Sequence, residues 1–176
     1  MTTAWAGPRT VGRIWLAILA GTVLWLAGIF LAPALAARGA GGPARVLYAV
    51  YAPVCHQIPG RCFHLRGLPL AVCGRCLGIY AGFVAGLIAY PFVRGFRRPP
   101  ALPPARLFLL LTLPLALDGL GGFVGLWRSP IGLRAATGLV WGAVLPYYAL
   151  AGAADLVRAR RARAAGRALE KDGPKK

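Results

Sequence analysis

The chain has 176 residues, 58% of them hydrophobic, with 21 Lys and Arg against four acidic side chains and a net charge of +17. That composition excludes an ordinary water-soluble domain and points to an all-α integral membrane protein. A spanning helix needs about 20 apolar residues, so the length suits one bundle and leaves no room for a second domain.

Four spans are predicted, at about residues 14–36, 77–93, 107–126 and 133–157, together forming a single transmembrane domain over residues 1–157. Arg13 and Arg38 bound the first, Arg94, Arg97 and Arg98 stop the second, and Arg106 and Arg128 flank the third. Residues 46–54 are too short to span. Their apolar positions Leu47, Val50, Tyr51 and Val54 fall at i, i+3, i+4 and i+7, which predicts a short interfacial or re-entrant helix ended near Pro53. Arg9 and Arg13, the apolar run and the small residues Ala34 and Ala36 are arranged as in a secretory signal. The run exceeds the roughly 7 to 15 residues of such a segment, which favours a retained helix.

Basic residues set the expected orientation. With the N-terminus inside, fourteen Lys and Arg fall on the inner side and seven on the outer, so both termini are expected in the cytoplasm of a multi-pass cell-membrane protein. The basic tail, residues 158–176, is expected to be disordered and to meet anionic lipid headgroups, at about 1 kcal/mol per basic residue. The bilayer is thus the expected partner, and nucleic acid is not. The proline-rich stretch from Arg97 to Pro104 predicts a stiff connection.

Small residues at helical spacing suggest how the bundle closes. Gly78, Gly82 and Gly86 share one stripe of the second span, and Gly138 with Gly142 repeats the spacing on the fourth. Such stripes let helix backbones approach closely where lipid supplies no hydrophobic drive.

Asp118 stands alone inside the third span, the sole acidic residue before Asp155. A carboxylate at that depth costs at least about 2.5 kcal/mol and should face a partner or a wet cavity. At about 1.5 Å per residue it lies roughly 18 Å from Arg106, toward the outer side. Two roles follow: a catalytic base or metal ligand, or half of an ion pair with Arg134 or another arginine. The Gly119 to Gly122 stretch would let the backbone break or another helix approach.

All four cysteines and both histidines lie between residues 55 and 76. Cys73 and Cys76 form a Cys-x-x-Cys arm at a helix start, preceded within about 20 residues by a second knot of Cys and His, a spacing that suits zinc. The expected ligands are Cys55, Cys73 and Cys76 with His56, and Cys62 and His64 are the alternates. Arg61 and Arg75 would add positive charge for an anionic substrate or headgroup. An open coordination position would permit metal-assisted hydrolysis, and a closed one would be structural.

Thiol exchange is the competing chemistry. The helix start and Arg75 favour a thiolate at Cys73 or Cys76, with Cys55 and Cys62 as the partner pair. The arrangement resembles that of quinone-linked disulfide-generating enzymes and vitamin K epoxide reductases, which would make a quinone the cofactor. Two disulfides that merely staple the loop are a third possibility, and a small transporter or channel lined by Asp118 a fourth.

The run Cys55-His-Gln-Ile-Pro-Gly-Arg-Cys-Phe, followed by Cys73-Gly-Arg-Cys-Leu-Gly, resembles a prokaryotic family of small membrane proteins, domain of unknown function 2085. The likeness extends through Asp118-Gly119 and Leu133-Arg134 to Gly142. It implies fold and membership without an activity. It also implies Ser in place of Cys62, which singles out Cys55, His56, Cys73 and Cys76 and favours a metal. Polar residues are implied after Asp-Gly, where this chain has Leu120, Gly121 and Gly122.

Overall fold

The structure is a computed structural model that describes residues 7–97, 100 and 102–171, with side chains to residue 167. Arg98 and residues 172–176 of the tail lie outside the described residues. Among the described residues five α-helices follow in chain order: α1 (Pro8–Ala36), α2 (Gly41–Tyr51), α3 (Gly74–Val93), α4 (Ala105–Phe123) and α5 (Ile131–Lys171). Four of them, α1, α3, α4 and α5, are long and apolar enough to cross a membrane. Between α2 and α3 lie a single 3-10 turn, Pro59–Arg61, and a small hairpin of β1 (His64–Leu65) and β2 (Leu68–Pro69). Arg66 and Gly67 form the hairpin's two-residue turn, both at positive φ (54° and 79°), the geometry that matches the twist of paired strands.

The centre of the bundle is a parallel pair. Going down the membrane, Gly78 of α3 faces Ala135 of α5, Gly82 faces Leu139 and Gly86 faces Ala143. In return, Gly138 and Gly142 of α5 lie against the backbone at Arg75 and Ile79. A methyl group at any of these five glycines would overlap a backbone carbonyl of the other helix. The two stripes expected from sequence are therefore one seam, in which main chain touches main chain and dispersion takes the place of hydrophobic drive.

The other spans run against this pair. Trp15 of α1 donates its indole N–H to the Leu87 carbonyl of α3 at 2.7 Å, and further along α1 the Trp25 and Tyr80 rings meet edge to face. α4 leans on α5 through Trp141, whose indole donates to the Thr112 hydroxyl at 2.8 Å, and through Phe108, which packs on Trp141 and Tyr148. Its Leu109, Leu110, Leu113, Leu117 and Leu120 are exposed, as suits a face turned to lipid.

α2 does not span. It packs back against α1, where the Tyr51 hydroxyl fits over Gly28, which has no side chain, and donates to the Trp25 carbonyl at 2.6 Å. The short helix expected at residues 46–54 thus forms five residues earlier and ends before Pro53. Its buried face is Ala44 and Tyr51 with Leu47 and Tyr48 beside them, while Val50 and Val54 are exposed, because the seat of Tyr51 on Gly28 sets the rotation.

Other boundaries differ too, with α1 beginning at Pro8 and α4 ending at Phe123. α3 begins at Gly74, so Cys76 sits in its first turn and not before it. α5 continues to Lys171 where a disordered tail is expected: the run from Arg158 is dominated by Ala and Arg, both strong helix formers, and Asp155 pairs with Arg158 one turn on.

Candidate functional site

The segment between α2 and α3 is folded back onto the bundle by its own polar groups. Gln57 adopts a left-handed backbone (φ 51°), an uncommon state for a residue with a side chain. Its side-chain amide donates to the Tyr48 carbonyl at 2.7 Å near the open end of α2, which holds the strained turn in place. The Tyr48 hydroxyl in turn donates to the Pro69 carbonyl at 2.6 Å, tying hairpin to helix. Ile29, Ala32, Tyr51, Leu70, Ala71 and Val72 pack around Cys55 as a buried apolar floor.

On that floor three sulfurs converge. The Sγ atoms of Cys55, Cys73 and Cys76 all lie within 4.8 Å of one another, and those of Cys73 and Cys76 are 3.6 Å apart. No disulfide joins them. The backbone N–H of Cys73, the residue that precedes α3, donates to the Cys55 sulfur at 3.1 Å. Hydrogen bonds from the Cys55 and Cys76 thiols, and from the backbone N–H groups of Cys76 and Arg75, hold the Cys73 thiol well below the ordinary thiol range. A thiolate is therefore favoured at the start of the helix.

Cys62 is apart from this group. It is fully buried, donates its S–H to the Ile58 carbonyl at 3.2 Å, and burial together with neighbouring Cys55 and Cys73 pushes its thiol up to about 11. The histidines do not join the cluster either. His56 is exposed on the wall of the adjoining cavity, and His64 is exposed on β1 opposite Pro69. Among the described residues the three cysteines are the sole set of donors close enough to share an ion.

The cluster opens on a cavity of about 400 Å³ lined by all three cysteines with His56, Gln57, Arg61, Arg75 and Arg134. Asp118 lies behind it, 6% exposed. Of the arginines expected as its partner, Arg75 and not Arg134 makes the ion pair: one Asp118 oxygen accepts from Arg75 and the other from the Ser129 hydroxyl. Arg75, in the first turn of α3, reaches the carboxylate first, and Arg134 donates its Nε to the Ser129 carbonyl at 3.1 Å. Both carboxylate oxygens are engaged, so Asp118 serves as an anchor for Arg75 and stands outside the sulfur group.

The glycines after Asp118 do not break the helix, which runs on to Phe123. They clear space: Gly119 lies beside the Arg75 guanidinium, Gly121 under the Trp127 ring and Gly122 beside Arg134. Sequence reasoning missed Ser129 and Gln57. Gln57 is part of the Cys-His-Gln signature, but Ser129 has no marker besides its place between two spans.

With this geometry in view, comparison with known proteins is informative. The family model of predicted membrane proteins called DUF2085 matches residues 55–148, from the first cysteine of the cluster into α5. The chain belongs to that family. An uncharacterised protein of the archaeon Methanocaldococcus jannaschii is 36% identical over 144 residues, covering 78% of this chain and 91% of that one. A second uncharacterised protein, from Methanothermobacter thermautotrophicus, is 38% identical over 87 residues, 49% of this chain and 75% of its own length. No solved structure gives a significant match.

Proposed function

We propose that this multi-pass membrane protein holds a zinc ion on Cys55, Cys73 and Cys76 at the wall of a cationic cavity. The observation that carries the reading is the convergence of three unbridged sulfurs from two separate segments. Tetrahedral zinc with Zn–S bonds of about 2.3 Å needs sulfurs about 3.8 Å apart. The 3.6 Å between Cys73 and Cys76 and the 4.8 Å limit on the whole set fit that requirement without rebuilding the backbone. The N–H bond onto Cys55 is the kind of outer contact that steadies a metal thiolate. Three thiolates and a divalent ion sum to one negative charge, which the arginines of the cavity offset.

A fourth position would be filled by His56, by water or by a substrate group. In the last case the ion would act as a Lewis acid on a bound oxygen. Arg75, positioned by Asp118, and Arg61 supply positive charge beside it. The fourteen-to-seven distribution of Lys and Arg supports a reading with both termini in the cytoplasm, in which the cavity faces the far side and the basic end of α5 meets anionic headgroups.

Elemental analysis of detergent-purified protein, paired with a free-thiol count, tests the centre. About one zinc per chain is expected for the native sequence and Cys62→Ser, and less than about a tenth of that for Cys73→Ser or Cys76→Ser. No metal, together with a reversibly reducible Cys73–Cys76 disulfide, would overturn the reading in favour of a quinone-linked thiol oxidoreductase. The closeness of those two sulfurs and the low-lying Cys73 thiol make that the second reading.

A further inference from the structure

A second cavity of about 440 Å³ adjoins the first and shares Ile58, Arg61 and Arg134 with it. Its remaining wall includes Trp127, Arg128 and Ser129. Arg61, Arg128 and Arg134 thus converge where no acidic side chain lines the wall, since Asp118 is bound by Arg75 and Ser129.

Arg134 is the decisive group. It is only 6% exposed, yet among the described residues the one hydrogen bond of its side chain runs from Nε to the Ser129 carbonyl. A guanidinium carries five N–H donors, so its two terminal nitrogens are left at the junction of two cavities. Asp118 is the nearby counter-charge, but its two oxygens are taken by Arg75 and Ser129, so one carboxylate serves two guanidinium groups, and an oxyanion seated in the cavity supplies the missing charge through paired N–H···O bonds. Gly122, beside the Arg134 terminal nitrogen, leaves the space that such a ligand needs. Three guanidinium groups suit a dianion better than a single carboxylate.

We infer that Arg134, with Arg61 and Arg128, forms a receptor for a phosphate group, carried by a lipid headgroup or by a soluble phosphate compound. The inference deepens the metal-centre reading by naming the class of molecule held next to the sulfur cluster. It depends on that reading only for the ion, because the arginines stand without it.

Calorimetric titration of the detergent-purified full chain tests the receptor, with inorganic phosphate and dihexanoyl phosphatidic acid as probes and dihexanoyl phosphatidylcholine as control. Zinc content is measured on the same samples. The native chain should bind phosphatidic acid in preference to phosphatidylcholine, and the exposed-site double variant Arg61→Ala/Arg128→Ala should bind at least about tenfold more weakly. Arg134→Lys, which keeps the charge and loses the fork, should weaken binding by a similar factor, while Arg45→Ala, exposed on α2, should stay within about twofold. Inorganic phosphate that competes with phosphatidic acid supports a soluble phosphate ligand, and binding of phosphatidic acid alone supports a lipid headgroup. Absence of binding by either probe, or a double variant that binds as the native chain does, overturns the receptor. Phosphate binding with the expected variant losses in zinc-free protein would leave the receptor standing and reject the metal centre. Zinc at about one per chain without phosphate binding would do the reverse.

Discussion

At the end of the bundle where α1 begins, Trp15, Tyr90, Phe96 and Tyr147 pack ring on ring around Leu87 and Leu150. At the other end the neighbours are sulfur, guanidinium, carboxylate and folded-back main chain. The aromatic end carries twice as many basic residues, yet the seven at the cysteine end include the buried Arg134 and the anchored Arg75. Charge that sets orientation can stay solvated. Charge that acts on a ligand must be desolvated and held, and the fold does that at one end only.

The comparison can be broken first at the seam that both ends share. Gly82→Leu drives a side chain into the Leu139 carbonyl and should abolish monodisperse protein on gel filtration, while Gly152→Ala, in open space, should elute as the native chain does. A Gly82→Leu protein that stayed folded would show that the parallel pair is not what supports the two ends.

A smaller effect separates the ends themselves. Asp118→Asn leaves Arg75 without its counter-charge and should lower stability in detergent by about 1–3 kcal/mol, read from the unfolding midpoint. Because Arg75 keeps 23% of its side-chain surface, the loss should fall short of that for a fully buried pair. Adding Arg75→Met should recover part of it, so the double variant costs less than the sum of the singles. Strict additivity would mean that the two side chains act independently.

The smallest effect belongs to the basic end. Asp155→Ala removes the surface partner of Arg158, in a side chain 63% exposed, and should change stability by less than about 0.5 kcal/mol in the same measurement. A loss as large as that of Asp118→Asn would erase the distinction between solvated and anchored charge.

Much of this was legible in the residues themselves. Runs of apolar residues bounded by arginine pointed to four helices able to cross a membrane, because the cost of leaving backbone or charge in hydrocarbon is local and steep. Glycines four apart announced a close helix contact for the same kind of reason: a missing side chain is written in the sequence. Cys73 and Cys76 declared themselves by spacing, since two thiols three residues apart at a helix start need no tertiary information.

The rest was decided by tertiary structure. Nothing in the chain states that α3 and α5 run parallel in contact, which is what brings Arg134 to the cavity that Arg75 and Cys76 line. The exclusion of Cys62 and both histidines from the sulfur group follows from how α2 rotates on Gly28 and how Gln57 turns the loop, both contacts between distant residues. The exchange of Arg134 for Arg75 as partner of Asp118 has the same origin. Sequence records which groups carry charge or sulfur, but which of them meet depends on close packing among segments that approach only when the bundle closes.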